Sequence, residues 1–139
     1  DKYRAFEIGY ICDKTVNDPA YAAQEDWLMM GDFNSRSRLD NRVYNYPDDD
    51  TRLLVHDYIA EHTPYVDVIA EKHPGEFHTT THGQSRIDFV YCTQPLCERI
   101  TRAEVIVDDF TEPVRDPGKL SNFYHPSDHR PILVDFDMK

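Results

Sequence analysis

The sequence lacks a long hydrophobic run, a set of paired cysteines and an excess of positive charge. Charged residues interrupt every apolar stretch, so no segment is predicted to span a membrane. The three cysteines, Cys12, Cys92 and Cys97, are odd in number and form no CxxC pair, which argues against a disulfide framework. The 15 lysines and arginines stand against 26 aspartates and glutamates, and the net charge of −11 argues against a generic nucleic-acid-binding surface.

The composition is that of a globular protein. Of the 139 residues, 40% are hydrophobic and 12% are aromatic, which is enough for one compact core. No repeat, low-complexity tract or linker divides the chain, so residues 1–139 are predicted to form a single unit. Because the chain begins at Asp1 rather than Met, we expect a processed product or part of a longer protein.

The hydrophobic pattern predicts a helix, a strand, a second helix and then several strands. The helices are expected over 2–16 and 52–62, and the strands over 27–31, 85–92, 103–107 and 131–136. The first of these strands is predicted to be buried, since it is a short apolar run. Residues 35–49 and 110–124 are expected to be loops, residues 65–70 a short connection and residues 108–109 a turn. This mixture predicts an α/β (α+β) fold with helices packed outside sheets.

Polar groups follow the first predicted strand directly, in the segment Gly31-Asp32-Phe33-Asn34. If the strand continues through this segment, Asp32 and Asn34 point to one face and Phe33 to the other. A carboxylate can then position or deprotonate water, and an amide N–H can donate to a phosphoryl oxygen. A simple turn is the alternative, because Gly, Asp and Asn are common turn residues.

Two further segments place acidic and imidazole groups on predicted strands. Asp88 lies inside an apolar strand, where a carboxylate is costly to bury unless a histidine or arginine partners it. Asp128 and His129 stand side by side where the last strand begins, and they offer a metal ligand and an acid–base group. Each segment alone is also compatible with an ordinary surface or loop position.

Taken together and in this order, the three segments resemble the late motifs of a known enzyme family. The sequence is similar to the endonuclease/exonuclease/phosphatase family, whose fold is a four-layer α/β/β/α sandwich. His82-Gly83 also resembles bacterial members of that family. The motifs are 31–35 (Gly-Asp-Phe-Asn-Ser), 86–89 (Arg-Ile-Asp-Phe) and 127–132 (Ser-Asp-His-Arg-Pro-Ile).

The resemblance implies a role for each matched residue. Asp32 would position or deprotonate the attacking water and could also touch metal, and Asn34 would hold a non-bridging phosphate oxygen. Asp88 would orient His129, and His129 would contact the scissile phosphate and stabilise developing charge. Asp128 would bind the divalent cation. Mg²⁺ (or Mn²⁺) is expected, because the ligands are oxygens and the substrate is a phosphoester.

The sequence departs from the family pattern at its beginning. The family carries an early Asn, a metal-binding Glu and a central His or Tyr before its Gly-Asp-Phe-Asn motif, but only 31 residues precede Asp32 here. Glu7 and Glu25 do not stand in such a context. The chain is therefore expected to be the C-terminal half of the domain, with the N-terminal half as its missing partner and little activity of its own.

The implied activity is metal-dependent hydrolysis of a phosphodiester or phosphomonoester by activated water. The substrate could be nucleic acid, phospholipid or sugar phosphate, with specificity set by loops 36–50 and 111–125. A non-catalytic fragment or degenerate domain that serves as a binding module is the alternative.

The sequence does not favour two other metal sites. A zinc site at His78 and His82 or at His125 and His129 would need a helix, and β-branched residues or Pro126 oppose one there. A calcium loop at 48–50 lacks the required glycine and distal glutamate.

Overall fold

A computed structural model describes residues 1–81, 84–107, 114–115, 123–124 and 127–139. Within these residues the helices are α1 Lys2–Asp13, α2 Asn41–Tyr44, α3 Leu54–His62, α4 Val68–Lys72 and α5 Gln94–Cys97. The strands are β1 Leu28–Asp32, β2 Tyr65–Asp67, β3 Asp88–Thr93, β4 Ile100–Val105, β5 Val114–Arg115, β6 Phe123–Tyr124 and β7 Ile132–Phe136. Short 3-10 turns occupy Pro19–Tyr21, Arg38–Asp40 and Thr51–Leu53. No helix of the described residues has the length and apolar character needed to cross a bilayer.

All strand pairs are antiparallel. The main sheet has the order β1-β3-β2, with β3 in the middle, while β4 pairs with β7 and β5 pairs with β6. In the main sheet Leu28 lies opposite Cys92 and Asp32 lies opposite Asp88. This helical and antiparallel arrangement confirms the predicted α+β fold.

The two faces of β3 bury different cores. Phe89 and Tyr91 face α1 and α3 and pack with Val55 and Ile59. Val90 and Cys92 face the opposite way, toward residues of α4, α5, β4 and β7. The described residues therefore form three layers: helices, the main sheet and the β4–β7 pair. Phe89 and Tyr91 are buried, and Ile87 beside them is half-buried.

Helix α1 packs closely on α3 through a glycine. A Cβ atom at Gly9 would lie 3.2 Å from the ring of Tyr58, so a side chain at this position would require the ring to shift by a few tenths of an ångström. The opposite side of α1 is apolar but exposed, with Tyr3 at 85%, Phe6 at 73% and Tyr10 at 61%. Helix α1 thus has a second apolar face that no described residue covers.

Several local predictions were wrong. Strand β1 is not buried, because it lies at the edge of the sheet and Met30 is 70% exposed. Residues 65–70 are not a simple connection: they form β2 and the start of α4, which Asp67 caps by accepting a hydrogen bond from the backbone N–H of Ala70. Loop 35–49 contains α2, and loop 110–124 contains the β5–β6 pair. The turn predicted at 108–109 lies outside the described residues.

A buried ion pair joins three separate parts of the chain. Arg86 Nε donates to Asp40 at 2.8 Å, and Arg86 Nη1 lies 2.7 Å from Asp67. All three side chains are less than 10% exposed, and the guanidinium of Arg86 lies over the ring of Phe89 at 4.3 Å. Arg86 therefore connects the segment before β3 to the Arg38–Asp40 turn and to the end of β2.

Candidate active site

The candidate site begins where two paired strands end together. Strand β1 finishes at Asp32 and β3 starts at Asp88, and the two residues lie directly opposite each other. Residues opposite each other in an antiparallel pair project to the same face of the sheet. The register therefore brings the first two acidic residues predicted for the site to one end of the main sheet.

His129 joins this end through Asp88. Its Nδ1 atom lies 3.0 and 2.9 Å from the two carboxylate oxygens of Asp88. Because an ionised carboxylate can only accept, Nδ1 carries the proton, and Nε2 is the ring nitrogen left to act on a ligand. The predicted Asp88–His129 hydrogen bond is thus present. The His129 side chain is 33% exposed and that of Asp88 is 18% exposed.

The backbone around this pair is held by a threonine. Thr80, which is 1% exposed, accepts hydrogen bonds at Oγ1 from the backbone N–H groups of Ile87 (3.0 Å) and Asp88 (3.1 Å). Its carbonyl oxygen accepts from the backbone N–H of Arg130 at 2.7 Å. Thr80 therefore ties the start of β3 to the segment that carries His129 and fixes the separation of Asp88 and His129.

The carboxylates around His129 favour its protonated form. Burial lowers the pKa of His129, but the hydrogen bond and charge of Asp88, together with the charges of Asp32 and Asp128, outweigh burial and raise that pKa above its ordinary value. A protonated ring presents Nε2–H as a donor. Such a donor suits an anionic group such as a phosphoryl oxygen.

Asn34 is positioned by a turn, which was the stated alternative to a strand that continues through it. Strand β1 ends at Asp32, and Asn34 has a left-handed φ of 46°. The Asp32 carboxylate accepts hydrogen bonds from the backbone N–H of Asn34 at 2.8 Å and from its Nδ2 at 3.2 Å. Asn34 thus stays beside Asp32, while Phe33 packs against Phe89 and Tyr91.

The acidic residues of the site differ in how accessible their carboxylate oxygens are to a cation. Among the described residues, Asp32, Asp88 and His129 form a group whose ligand-type atoms all lie within 4.8 Å of one another. Both oxygens of Asp88 contact His129, whereas the exposed carboxylate of Asp32 faces solvent. Asp128 is also exposed and stands next to His129 in the chain, but it is not a member of this group.

Sequence reasoning missed two residues that hold the site together. Thr80 stands in the run Thr79-Thr80-Thr81, which was considered only as an obstacle to a helix. Arg86 belongs to the motif with Asp88, but its buried ion pairs to Asp40 and Asp67 were not expected. An arginine inside an otherwise apolar strand-like segment was the available signal, since such a charge needs buried partners. His82 and Gly83, which also carried the resemblance, lie outside the described residues.

The comparisons with known proteins agree with this geometry at the level of the fold. A solved structure of an AP endonuclease from Archaeoglobus fulgidus superposes with a TM-score of 0.68 at 22% sequence identity. The likeness at this identity shows the fold alone. It covers 99% of this chain and 55% of that protein, so the chain spans about half the length of the AP endonuclease. No protein-family model and no curated protein matches the sequence.

Proposed function

We propose that this chain is the C-terminal half of the catalytic domain of a metal-dependent phosphoesterase of the endonuclease/exonuclease/phosphatase family. The Asp88–His129 pair beside Asp32 at the shared end of β1 and β3 is the observation that carries the proposal. The likeness to an AP endonuclease fold supports it independently.

In the proposed reaction, His129 acts on the phosphate and Asp32 acts on water. Asp88 accepts a hydrogen bond from the Nδ1–H group of His129, so the ring presents Nε2 toward the substrate. The protonated ring donates to a phosphoryl oxygen and stabilises the negative charge that grows there. Asp32 orients a water molecule and takes its proton, and Asn34 holds a non-bridging oxygen through the amide hydrogen that Asp32 leaves free.

The donor set fits a hard divalent cation such as Mg²⁺ or Mn²⁺. Asp32 and Asp128 are exposed carboxylates whose charges both act on His129, and Mg²⁺ usually takes one or two carboxylates together with water and phosphate. We infer that these two residues hold the cation. When bound, it neutralises phosphate charge and polarises the phosphoryl group.

The exposed apolar faces support a second half of the domain. Tyr3, Phe6 and Tyr10 on α1 and Met30 on β1 are each more than 60% exposed, which is unusual for such large apolar groups. We infer that a further segment of the full-length protein covers these faces. By the resemblance, that segment supplies the early Asn and the metal-binding Glu.

Nucleic acid is the substrate class that we propose first. One neighbour in structure is an AP endonuclease, and the loop that follows Asn34 contains a cationic and aromatic cluster. There Arg36 lies over the rings of Tyr44 at 4.9 Å and Tyr46 at 5.5 Å, and the two rings stack. Arginines and aromatic rings of this kind contact phosphates and bases in nucleic-acid sites.

The test is hydrolysis by the full-length protein with Mg²⁺ or Mn²⁺. The substrates are a chromogenic phosphodiester, a phosphomonoester and a DNA duplex with an abasic site. We expect metal-dependent turnover that H129A and D32N each lower by about 100-fold or more, the size of effect seen when a transition-state donor is lost. E61Q, which changes a 71% exposed carboxylate on α3, is the matched control and should keep full activity.

The outcome also separates the two candidate functions. If the folded protein hydrolyses none of these esters with either metal, yet binds nucleic acid, the domain is a binding module and the enzymatic proposal is wrong. Turnover that H129A leaves unchanged would likewise reject the assigned site.

A further inference from the structure

A second group of ligand-type side chains lies after α4, separate from the candidate active site. Atoms of His73, Glu76 and His78 that can bind metal all lie within 4.8 Å of one another. The two imidazole rings are 4.7 Å apart between centroids. His78 Nε2 lies 3.0 Å from Glu76 Oε2, and His73 Nδ1 lies 3.7 Å from the same oxygen. Two nitrogens thus converge on one carboxylate.

The backbone brings these three residues together in a tight reversal. Helix α4 ends at Lys72, and Gly75 has a φ of +83°, a conformation that L-residues with side chains rarely adopt. After this turn Arg42 Nη2 donates to the carbonyl oxygen of Glu76 at 2.6 Å. The segment that carries Glu76 and His78 is therefore anchored against α2 while it faces His73.

The core fixes the orientation of the His73 ring. Its Nε2 atom lies 2.6 Å from the carbonyl oxygen of Ala103 on β4. A carbonyl oxygen only accepts, so Nε2 carries the proton and Nδ1 faces Glu76. Proteins orient metal-binding histidines in this way, with one ring nitrogen donating to a carbonyl group and the other bound to the ion.

A cation bound between His73 and Glu76 would relieve an unfavourable electrostatic contact between them. With Nε2 protonated, a neutral His73 directs the Nδ1 lone pair toward a carboxylate oxygen, and two electron-rich atoms then face each other. A cation between the two groups relieves that contact. The side chains are also accessible, since His73 and His78 are 28% and 25% exposed and line a cleft of ≈ 350 Å³.

We propose that His73, Glu76 and His78 bind a divalent transition metal, with zinc as the expected ion. Two imidazoles and one carboxylate are ligands that zinc prefers, whereas Mg²⁺ prefers an all-oxygen set. Ligand atoms of a tetrahedral zinc site lie about 3.4 Å apart, which small side-chain rotations reach from the present separations. Three protein ligands leave the fourth position to water.

The site would stabilise a segment that supports the candidate active site. His78 precedes Thr80 by two residues, and Thr80 holds the backbone N–H of Asp88. A metal bound to His78 and Glu76 therefore restrains the chain that leads to Thr80. This inference concerns metal binding alone and does not depend on whether the protein hydrolyses phosphoesters.

The experiment is titration of the metal-free full-length protein with Co²⁺ and Zn²⁺ in excess Mg²⁺. Mg²⁺ occupies oxygen-rich sites, and Co²⁺ reports a four-coordinate nitrogen and oxygen site by strong visible absorption. We expect this absorption in the wild type, its displacement by Zn²⁺, and a rise in Tm with Zn²⁺. H78A and the isosteric E76Q should each weaken Zn²⁺ affinity, H78A by about 100-fold or more.

H62A is the matched control, because His62 also lies beside a glutamate, at 3.8 Å from Glu61, but joins no metal-ligand group among the described residues. It should bind metal like the wild type. Far-ultraviolet circular dichroism of each variant checks that the fold is kept. The proposal is wrong if the wild type shows no four-coordinate Co²⁺ spectrum, or if folded H78A and E76Q bind Zn²⁺ as tightly as H62A.

Discussion

At the scale of single residues, the two faces of β3 place two histidines in opposite environments. His129 meets the carboxylate of Asp88, and the charge of that partner raises the His129 pKa despite burial. His56 lies on the other face, with Nδ1 2.7 Å from the hydroxyl of Tyr91 and its ring against Phe89. Burial, followed by the charge of Arg86, lowers the pKa of His56 to about 3. One strand therefore favours a charged imidazole on one side and a neutral one on the other.

The first prediction concerns His129. Replacing Asp88 with Asn removes a negative charge and an acceptor, so D88N should lower the pKa of His129 in metal-free protein. The raised pKa means that the pair stabilises the folded state fully below pH 6.5, and this contribution is lost as pH rises through the folded-state pKa. NMR titration of the ring C–H signals measures the shift. An unchanged His129 pKa in D88N would contradict the assignment of Asp88 as its partner.

The second prediction concerns His56, whose contribution to stability depends on pH in the opposite direction. Its pKa is about 3 in the folded state and 6.5 in the reference state, so its contribution to stability is complete above pH 6.5 and falls as the solution is acidified. Between pH 7 and pH 5 this residue should cost about 2 kcal/mol of unfolding free energy. Urea unfolding at the two pH values measures the loss, and H56Q, which cannot titrate there, should reduce it. An equal loss in H56Q would assign the acid sensitivity to other groups.

At the scale of secondary-structure elements, the Arg86 ion pair joins segments whose own contacts are few. Strand β2 has three residues and the turn at Arg38–Asp40 has three, so neither is stable by local hydrogen bonds alone. Asp67 ends β2, caps α4 and binds Arg86, while Asp40 ends the turn and binds the same guanidinium. The positions of β2 and of the loop after Asn34 are thus coupled to the start of β3.

The third prediction follows from this coupling. R86A leaves two buried carboxylates without their cation and should lower the unfolding free energy by about 3–5 kcal/mol. R38A is the matched control, because Arg38 also bridges two aspartates, Asp48 and Asp57, but its side chain is 43% exposed. Its loss should cost less than about 1 kcal/mol. Urea denaturation of both variants tests the difference, and equal losses would show that burial of the Arg86 pair contributes nothing further.

At the scale of the whole molecule, the described chain has a well-buried central strand and poorly covered outer surfaces. Five of the six residues of β3 are buried, whereas four of the five residues of β1 are exposed. The chain also corresponds to only 55% of the AP endonuclease that it resembles in fold. Both observations agree with the proposal that further residues pack beside β1 and α1.

The fourth prediction belongs to this scale. Residues 1–139 produced alone should hydrolyse a chromogenic phosphodiester with Mn²⁺ at a rate roughly 100-fold or more below that of the full-length protein, since loss of one anionic metal ligand sacrifices several kcal/mol of charge stabilisation. The measurement compares both proteins with and without Mn²⁺, and D32N in each as the control. Comparable turnover that D32N abolishes would show that the described residues already contain every essential ligand.

Local patterns in the sequence were sufficient for the main elements and for one contact of the site. Apolar spacing predicted α1, α3 and the strands β1, β3, β4 and β7, because periodicity reflects which face of an element is buried. A carboxylate in an apolar strand needs a partner, which predicted a histidine or arginine beside Asp88, and the resemblance to the family implied that this partner is His129. The assigned roles of these residues in catalysis remain predictions.

Other features depend on contacts between distant parts of the chain. Three such features follow from how the backbone folds in three dimensions. They are the left-handed turn at Asn34, the ion pair of Arg86 with Asp40 and Asp67, and the convergence of His73 with His78. The exposure of β1 likewise depends on which element packs beside it, and the apolar residues of β1 alone do not predict that element. Periodicity describes one element at a time, whereas a buried charge or a ligand group needs partners that the fold must bring together.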